Sequence, residues 1–310
     1  MGMPEASRAQ GSERITASDG VELAVHRYAA IDPKRPTILA IHGWPDNHHI
    51  WDGVAGQLAD RYNVVAYDVR GAGESSCPAT RSGYRFEQLV FDIDTVIDSL
   101  GVGRVHLLAH DWGSIQAWAA VTEDAVAAKV ASFTSISGPH LRYARRFAFS
   151  PRTPRAVAQV VRQLVGSGYI AFFLTPRAPE LLFSSRLGPG MIGIAERIGR
   201  TDAKGRRHSV PRSARDYLNG LNLYRANMPK ALFAPGKQLP STAVPVQVLA
   251  PRRDMFVTPA LQQFTGSIPS GSRVVPVEGG HWMVTSRPEV VARLTDEWID
   301  RAVAGAPGND

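Results

Sequence analysis

The 310 residues are 44% hydrophobic, carry one cysteine and have a formal net charge of +7. That is enough apolar material for one large α/β domain with an insertion, or for two smaller domains, and it excludes an internal disulfide. No uncharged apolar run of about eighteen residues is present and the first 13 residues are polar, so neither a membrane span nor a signal peptide is expected, and a cytoplasmic setting is.

In chain order, residues 1–13 are expected to be a disordered tail. Residues 14–18 and 21–29 read as two strands about the turn Asp19-Gly20. After a break, residues 37–41 form a continuous apolar run, as in a strand covered on both faces. It leads into His42-Gly43-Trp44-Pro45. Residues 47–59 suit a helix, 62–67 a second buried strand, and 86–100 a helix with Leu89, Phe91, Ile93, Val96, Ile97 and Leu100 as its apolar positions. A strand over 105–109, a helix over 112–121 and a strand over 131–137 follow. Strands alternating with helices imply a mostly parallel sheet flanked by helices. The alternation breaks at Gly138-Pro139. Residues 140–241 read as helical pieces punctuated by Pro and Gly, which predicts an inserted helical lid. The pattern resumes with a strand at 244–249, a helix from Pro259, a strand at 274–277 and a helix at 288–303, before a loose tail at 305–310. The expected core is thus 14–139 with 242–304.

The charge is uneven. Residues 141–230 hold 17 Lys+Arg against 4 Asp+Glu, so the lid is strongly basic and the remainder mildly acidic. Such a segment is either a solvated arginine-rich face or a peripheral contact for anionic lipid headgroups or an acidic substrate. No zinc finger, aromatic RNA-binding motif or heptad pattern appears, so no nucleic-acid partner is expected. Gly71-Ala72-Gly73 follows a strand, but Ser76 stands where a dinucleotide fingerprint has its third glycine.

The densest signal lies at Leu107-Leu108-Ala109-His110-Asp111-Trp112-Gly113-Ser114. Asp111 sits at the corner between a buried strand and a helix, with small Ala109 and Gly113 two residues to either side. That is the spacing of a nucleophile elbow, where small residues let a strand turn sharply into a helix. A carboxylate attacks carbon directly and is already ionised at neutral pH. The alternative is an Asp that only caps the helix. Ser114 lies inside the helix and is rejected as a nucleophile.

A carboxylate nucleophile forms an ester that must be hydrolysed. This calls for a base, a group to orient it, and donors for the oxyanion. The base candidate is His281 in Gly279-Gly280-His281-Trp282, after the last strand. The orienting acid is Asp254, after the strand before it, unless that residue caps the next helix. The order nucleophile, acid, histidine is that of α/β-hydrolases. The expected oxyanion donors are the backbone amides of Trp112 and Trp44, in a loop braced by His42, Gly43 and Pro45.

With these residues in place, the chain resembles the α/β-hydrolase-fold epoxide hydrolases, through His42-Gly43-Trp44-Pro45, His110-Asp111-Trp112-Gly113, Asp254 and Gly280-His281-Trp282. Residues 108–114 and 131–139 look most like the actinobacterial epoxide hydrolase D type, some members of which carry a C-terminal reductase domain beyond the span of these residues. The resemblance implies two lid tyrosines that hold the epoxide oxygen. Tyr224 in Leu221-Asn222-Leu223-Tyr224-Arg225 matches the second, with Leu223 where the family often has Trp. Tyr169 matches the first, and Tyr217 competes for either place. It also implies that Asp111 opens an epoxide to a vicinal diol through an aspartyl ester, with no metal or organic cofactor. Phe172, Phe173, Leu181, Leu182, Phe183 and Met191 suggest a lipophilic substrate.

Two other readings compete. A haloalkane dehalogenase uses the same Asp-His-Asp logic but needs a second halide donor, and Trp44 stands where many have Asn. A weakly catalytic lipid-binding protein on this fold would use residues 157–173 on an anionic membrane, although such a stretch more often closes over a site.

Overall fold

The computed structural model describes residues 8–198, 210–233 and 238–304. His208, placed by its sequence in a basic lid loop, lies outside the described residues. The strands are β1 (Gly11–Thr16), β2 (Glu22–Arg27), β3 (Thr37–Ile41), β4 (Asn63–Tyr67), β5 (Val105–His110), β6 (Val130–Ile136), β7 (Val246–Pro251) and β8 (Arg273–Val277). They form one eight-stranded sheet in the order β1-β2-β4-β3-β5-β6-β7-β8. β1 pairs antiparallel with β2 and β2 with β4, and every other pairing is parallel. This is the α/β architecture that the alternation predicted.

The helices are α1 (Asp52–Leu58), α2 (Phe86–Ser99), α3 (Trp112–Ala120), α4 (Asp124–Ala127), α5 (Leu141–Phe149), α6 (Pro154–Gly166), α7 (Gly168–Leu174), α8 (Ala178–Ser184), α9 (Leu187–Ile198), α10 (Ala214–Phe233), α11 (Pro259–Gly266), α12 (Met283–Ser286) and α13 (Pro288–Ala304). The chain leaves the sheet after β6, passes through α5 to α10, and returns at β7.

β3, β4, β5 and β7 are buried along their whole length, because helices cover both faces of the sheet there. Their residues are accordingly mostly Val, Ile, Leu and Ala, without a regular apolar–polar alternation. From β3 the chain crosses to β4 on one side and later to β5 on the other, so the loops after β3 and β5 open at a topological switch point.

Two expectations need correction. Residues 11–13, read as part of a disordered tail, belong to β1, where Gly11 pairs with Arg27 and Glu13 with Val25. An exposed edge strand shows too little apolar alternation to announce itself. Secondly, Pro154–Leu174 is long and apolar enough, by length and composition, to cross a membrane. It contains Arg155 and Arg162, so the absence of an uncharged run holds. In the fold the stretch is two helices, α6 and α7, which meet at Ser167.

Candidate active site

The corner at Asp111 is strained. Its φ is 50° and ψ −123°, a region that residues with a Cβ rarely enter. The surroundings enforce it. Asp111 N donates to Ile136 O at 3.0 Å, and Asp111 O accepts from Ile115 N at 3.0 Å as α3 begins. Glycines make room: a Cβ on Gly113 would come within 2.5 Å of His42 O, and one on Gly138 within 2.7 Å of Ser114 Cβ. Such strain costs about 1–3 kcal/mol and persists only where packing over-determines it. Its effect is to lift the Asp111 carboxylate off the sheet and into a cavity of about 180 Å³.

The loop after β3 meets that carboxylate. Trp44 N donates to Asp111 Oδ1 at 2.8 Å. Gly43 lies so close to the corner that a Cβ there would fall 2.5 Å from Trp112 N and 2.6 Å from Asp111 Cβ. The β3 loop therefore lies against both the Asp111 carboxylate and the Trp112 amide. His42 fixes the loop: its Nδ1 lies 2.9 Å from Gly43 O and its Nε2 accepts from Val69 N at 2.9 Å, which sets the neutral tautomer. Pro45 follows Trp44 through a cis peptide.

Behind this loop stands a buried carboxylate, Asp68. It accepts from the amides of His48 and Glu74, both at 2.8 Å, and from His26 Nε2 and His48 Nδ1, both at 3.0 Å. Burial opposes its charge, and the two histidines outweigh burial and hold its pKa well below the usual carboxylate range. His26, His48 and Asp68 have metal-ligand atoms within 4.8 Å of one another. Both carboxylate oxygens are already saturated with donors and the two imidazoles are stacked at 3.4 Å. The group reads as a hydrogen-bonding hub that supports the β3 loop.

His281 enters from the loop after β8. Arg252 N and Arg253 N donate to Val277 O and Gly279 O at 2.8 and 2.9 Å, so the acid and histidine loops are laced through their backbones. His281 Nδ1 lies 3.2 Å from both oxygens of Asp254, and Nε2 lies 3.6 Å from Asp111 Oδ2. Asp254 also accepts from Phe256 N and Val257 N at 2.9 Å. Burial favours neutral forms of this pair, but mutual attraction outweighs it. The Asp254 pKa is lowered, and that of His281 is raised to about 10 by Asp254 and Asp111 together. Asp254 and Asp111 together thus favour the protonated form of His281.

Tyr224 and Tyr169 face this trio across the cavity. They line it with Asp111 and His281, and their rings meet edge to face at 6.0 Å. Burial and the nearby Asp111 charge raise both phenol pKa values, so the hydroxyls stay protonated. Tyr217 does not line the cavity; it stacks on Phe183 at 5.6 Å. The remaining wall is apolar, with Phe172, Phe173, Leu182, Phe183, Met191 and Ile192. Leu181 does not line it and is 74% exposed. A larger groove, about 880 Å³, between α5, α3 and the end of α10 contains none of these groups.

Two supporting residues, Asp46 and Arg212, escaped sequence reading, and a third, His110, stands in the elbow motif. Asp46 accepts from Trp282 Nε1 at 3.0 Å and from Arg212 at 2.5 and 2.8 Å, joining the histidine loop to the inserted helices. His110 Nε2 lies 2.9 Å from His281 O. Asp46 adjoins the Trp-Pro motif, but Arg212 is 166 residues away, and only the fold brings it there. α10 and the residues leading into it are tied to the core throughout. Pro211 O accepts from Asn47, Asp216 from Gly73 N, Tyr217 O from Trp44 Nε1, and Gly71 O from Asn219. Asn227 holds Tyr84 O and Phe86 N. By contrast, the side-chain hydrogen bonds that leave α8 and α9, among the described residues, end on Arg225 and Arg212 through Glu180 and Glu196.

The family model that matches residues 36–288 describes the alpha/beta hydrolase fold. A Mycobacterium tuberculosis protein named probable oxidoreductase EphD is 32% identical over 96% of this chain, which spans 51% of that protein. The chain thus covers about half the length of that relative. Epoxide hydrolase A of the same organism is 28% identical over 92% of this chain and 96% of its own length. Among solved structures, epoxide hydrolase VrEH1 from Vigna radiata superposes with a TM-score of 0.71 and 26% identity, covering 94% of this chain and 98% of that one.

Proposed function

From the premise that this chain belongs to the α/β-hydrolase fold family, we propose that it is an epoxide hydrolase that opens a lipophilic epoxide to a vicinal diol through an ester on Asp111. One observation carries the reading: a carboxylate on the elbow faces two buried, protonated tyrosines across an apolar cavity. The relatives named epoxide hydrolases add to it.

The steps close in atoms and charge. An oxygen of Asp111 attacks an epoxide carbon, the ring C–O bond breaks, and its electron pair goes to the ring oxygen. Tyr224 or Tyr169 gives that oxygen a proton, and the proton held by His281 replaces it by way of solvent. Ester formation removes the Asp111 charge that helped hold the imidazolium, so the first half-reaction releases the base that the second needs. Neutral His281, oriented by Asp254, takes a proton from water as the water oxygen adds to the ester carbonyl. The amides of Trp44 and Trp112 receive the oxyanion. Collapse expels the diol oxygen, which takes the proton of the new aspartic acid, and the ion pair is restored. The inserted helices act as a lid, and no metal or cofactor enters these steps. The working place we assign is the cytoplasm.

A haloalkane dehalogenase is the second reading. Trp112 Nε1 is a buried donor lying near the Tyr224 hydroxyl without the geometry of a hydrogen bond, and alone it would suit a halide. The second donor is missing, because Trp44 Nε1 is spent on Tyr217 O at 3.0 Å. A weakly catalytic lipid-binding protein would convert neither substrate.

The test is a single turnover of terminal and internal long-chain epoxides in ¹⁸O-water. The diol from the first turnover should carry no label, since its new oxygen comes from Asp111, and later diol should carry it. Label in the first diol would sink the ester mechanism, and halide release without diol would select the dehalogenase. Tyr224→Phe and Tyr169→Phe should each lose about 10–100-fold in kcat, and the double variant more than either, because each phenol covers in part for the other. A pH profile gives an independent check. The His281 pKa is raised, so its proton is present below pH 10 and lost above it; ester formation should slow as pH rises through about 10.

A further inference from the structure

The first long helix of the insertion exposes an apolar face. α6 turns one side inward, where Val160 is buried and Gln163 bonds Phe256 O at 2.7 Å and Thr258 N at 2.8 Å. The opposite side carries Val157, Val161, Leu164 and Val165, which are 48, 54, 58 and 77% exposed. Their spacing, i, i+4, i+7 and i+8, makes one continuous stripe. Arg155 and Arg162 lie along one flank of it, and Arg152 precedes the helix. All three are exposed, and no carboxylate lies within ion-pair distance of them among the described residues. From residue 141 to 179 the sequence has seven arginines and no Asp or Glu.

We infer that this face of α6 docks on a bilayer containing anionic lipid, with the aliphatic stripe at the acyl boundary and the arginines among the headgroups. An amphipathic helix with a basic flank binds such a surface by buried apolar area and charge together. The helix lies on the membrane and does not cross it: its other face is pinned to the acid loop, and the apolar stretch is broken at Ser167. A second copy of the chain fits poorly, since two such faces would bring arginine flanks together with no carboxylate in the segment to pair with them. α7, which follows directly, presents Tyr169, Phe172 and Phe173 to the catalytic cavity. Docking therefore sets the cavity wall beside the lipid. That the bilayer delivers substrate rests on the epoxide reading; the docking itself does not.

The experiment is flotation of the full chain, as Asp111→Asn so that turnover plays no part, with vesicles of phosphatidylcholine alone or mixed with phosphatidylglycerol. Salt is about 0.05 or about 0.5 M, which takes the screening length from well above to well below 10 Å. The protein should float with the mixed vesicles at low salt, and far less with phosphatidylcholine alone or at high salt. Val161→Asp with Val165→Asp should cut the bound fraction at least tenfold, as should the milder pair Leu164→Gln with Val165→Gln. Arg155→Gln with Arg162→Gln should weaken binding and flatten its salt dependence. Unchanged melting and circular dichroism would establish that these surface variants fold. Absence of binding to the mixed vesicles overturns the inference, as does equal binding by the Val161→Asp, Val165→Asp protein. So does a dimer of the unaltered chain, seen by light scattering, that this variant makes monomeric. An epoxide panel that fails while flotation succeeds separates the two proposals.

Discussion

Mixed with a lipophilic epoxide, the His281→Ala protein is expected to gain the mass of one substrate molecule and stop. The two half-reactions lean on different groups. Ring opening needs the carboxylate at the strained corner and the phenols across the cavity, which the variant keeps. Ester hydrolysis needs a base, and among the described residues no other imidazole is placed to replace it: His110 lies 4.9 Å away ring to ring, but it is fully buried with Nε2 committed to His281 O. A positioned base contributes about 10²–10⁴-fold, so steady-state turnover should fall by about 10³ or more. The variant also lacks the resting imidazolium, so the ester should form more slowly than in the unaltered protein. Intact-protein mass spectrometry reads the adduct, and peptide mapping should place it on Asp111. Asp111→Asn should acquire none. An adduct on another residue, or no adduct from a substrate that the unaltered protein hydrolyses, would remove Asp111 from the role assigned to it.

Gly43→Ala should leave a folded protein that hydrolyses its ester about 10²–10³-fold more slowly, the usual consequence of losing an oxyanion donor. The added methyl has nowhere to go. It would fall 2.5 Å from Trp112 N and 2.6 Å from Asp111 Cβ, and both belong to an elbow that cannot yield. The β3 loop must move instead, which separates the Trp44 amide from Asp111 Oδ1. Overpacking of this kind costs about 1–3 kcal/mol, which a core of this size can absorb. Pre-steady-state kinetics should show ester accumulating, as in His281→Ala but at a lower level. A melting temperature lowered beyond use would mean that the glycine serves folding first; Gly43→Ser, with the same added atom and a hydroxyl, should then fail in the same way.

The fold could be read from the chain because buried parallel strands leave continuous apolar runs, and residues 37–41 and 105–109 are such runs. The elbow was legible for a local reason: small residues at fixed offsets around Asp111. His281 and Asp254 were legible through their order and their places after strands. What stayed hidden depends on distance in the chain. Tyr169 and Tyr217 each sit on an amphipathic helix, and nothing local says which one faces Asp111; the packing of α7 against α10 does. Asp46 and Arg212 brace the site through a contact between segments 166 residues apart, for which a single sequence carries no sign, and His110 was legible beside Asp111 while its partner, His281 O, 171 residues away, was not. The start of β1 was missed because edge pairing is made by backbone, and side chains report it weakly.

The uneven stitching of the inserted helices has a mechanical consequence. α10 and the residues leading into it are riveted to the loop after β3, whose Trp44 amide holds Asp111, and to the loop after β4, so Tyr224 and Asp111 form the fixed jaw of a clamp. α8 and α9, which carry much of the apolar wall, are latched through two arginines on or beside that jaw. A swing of the outer jaw would break the latches at Glu180 and Glu196 and the stack of Phe183 on Tyr217 and leave the fixed jaw in place. The distance from nucleophile to phenol, on which the chemistry depends, need not change as the mouth opens.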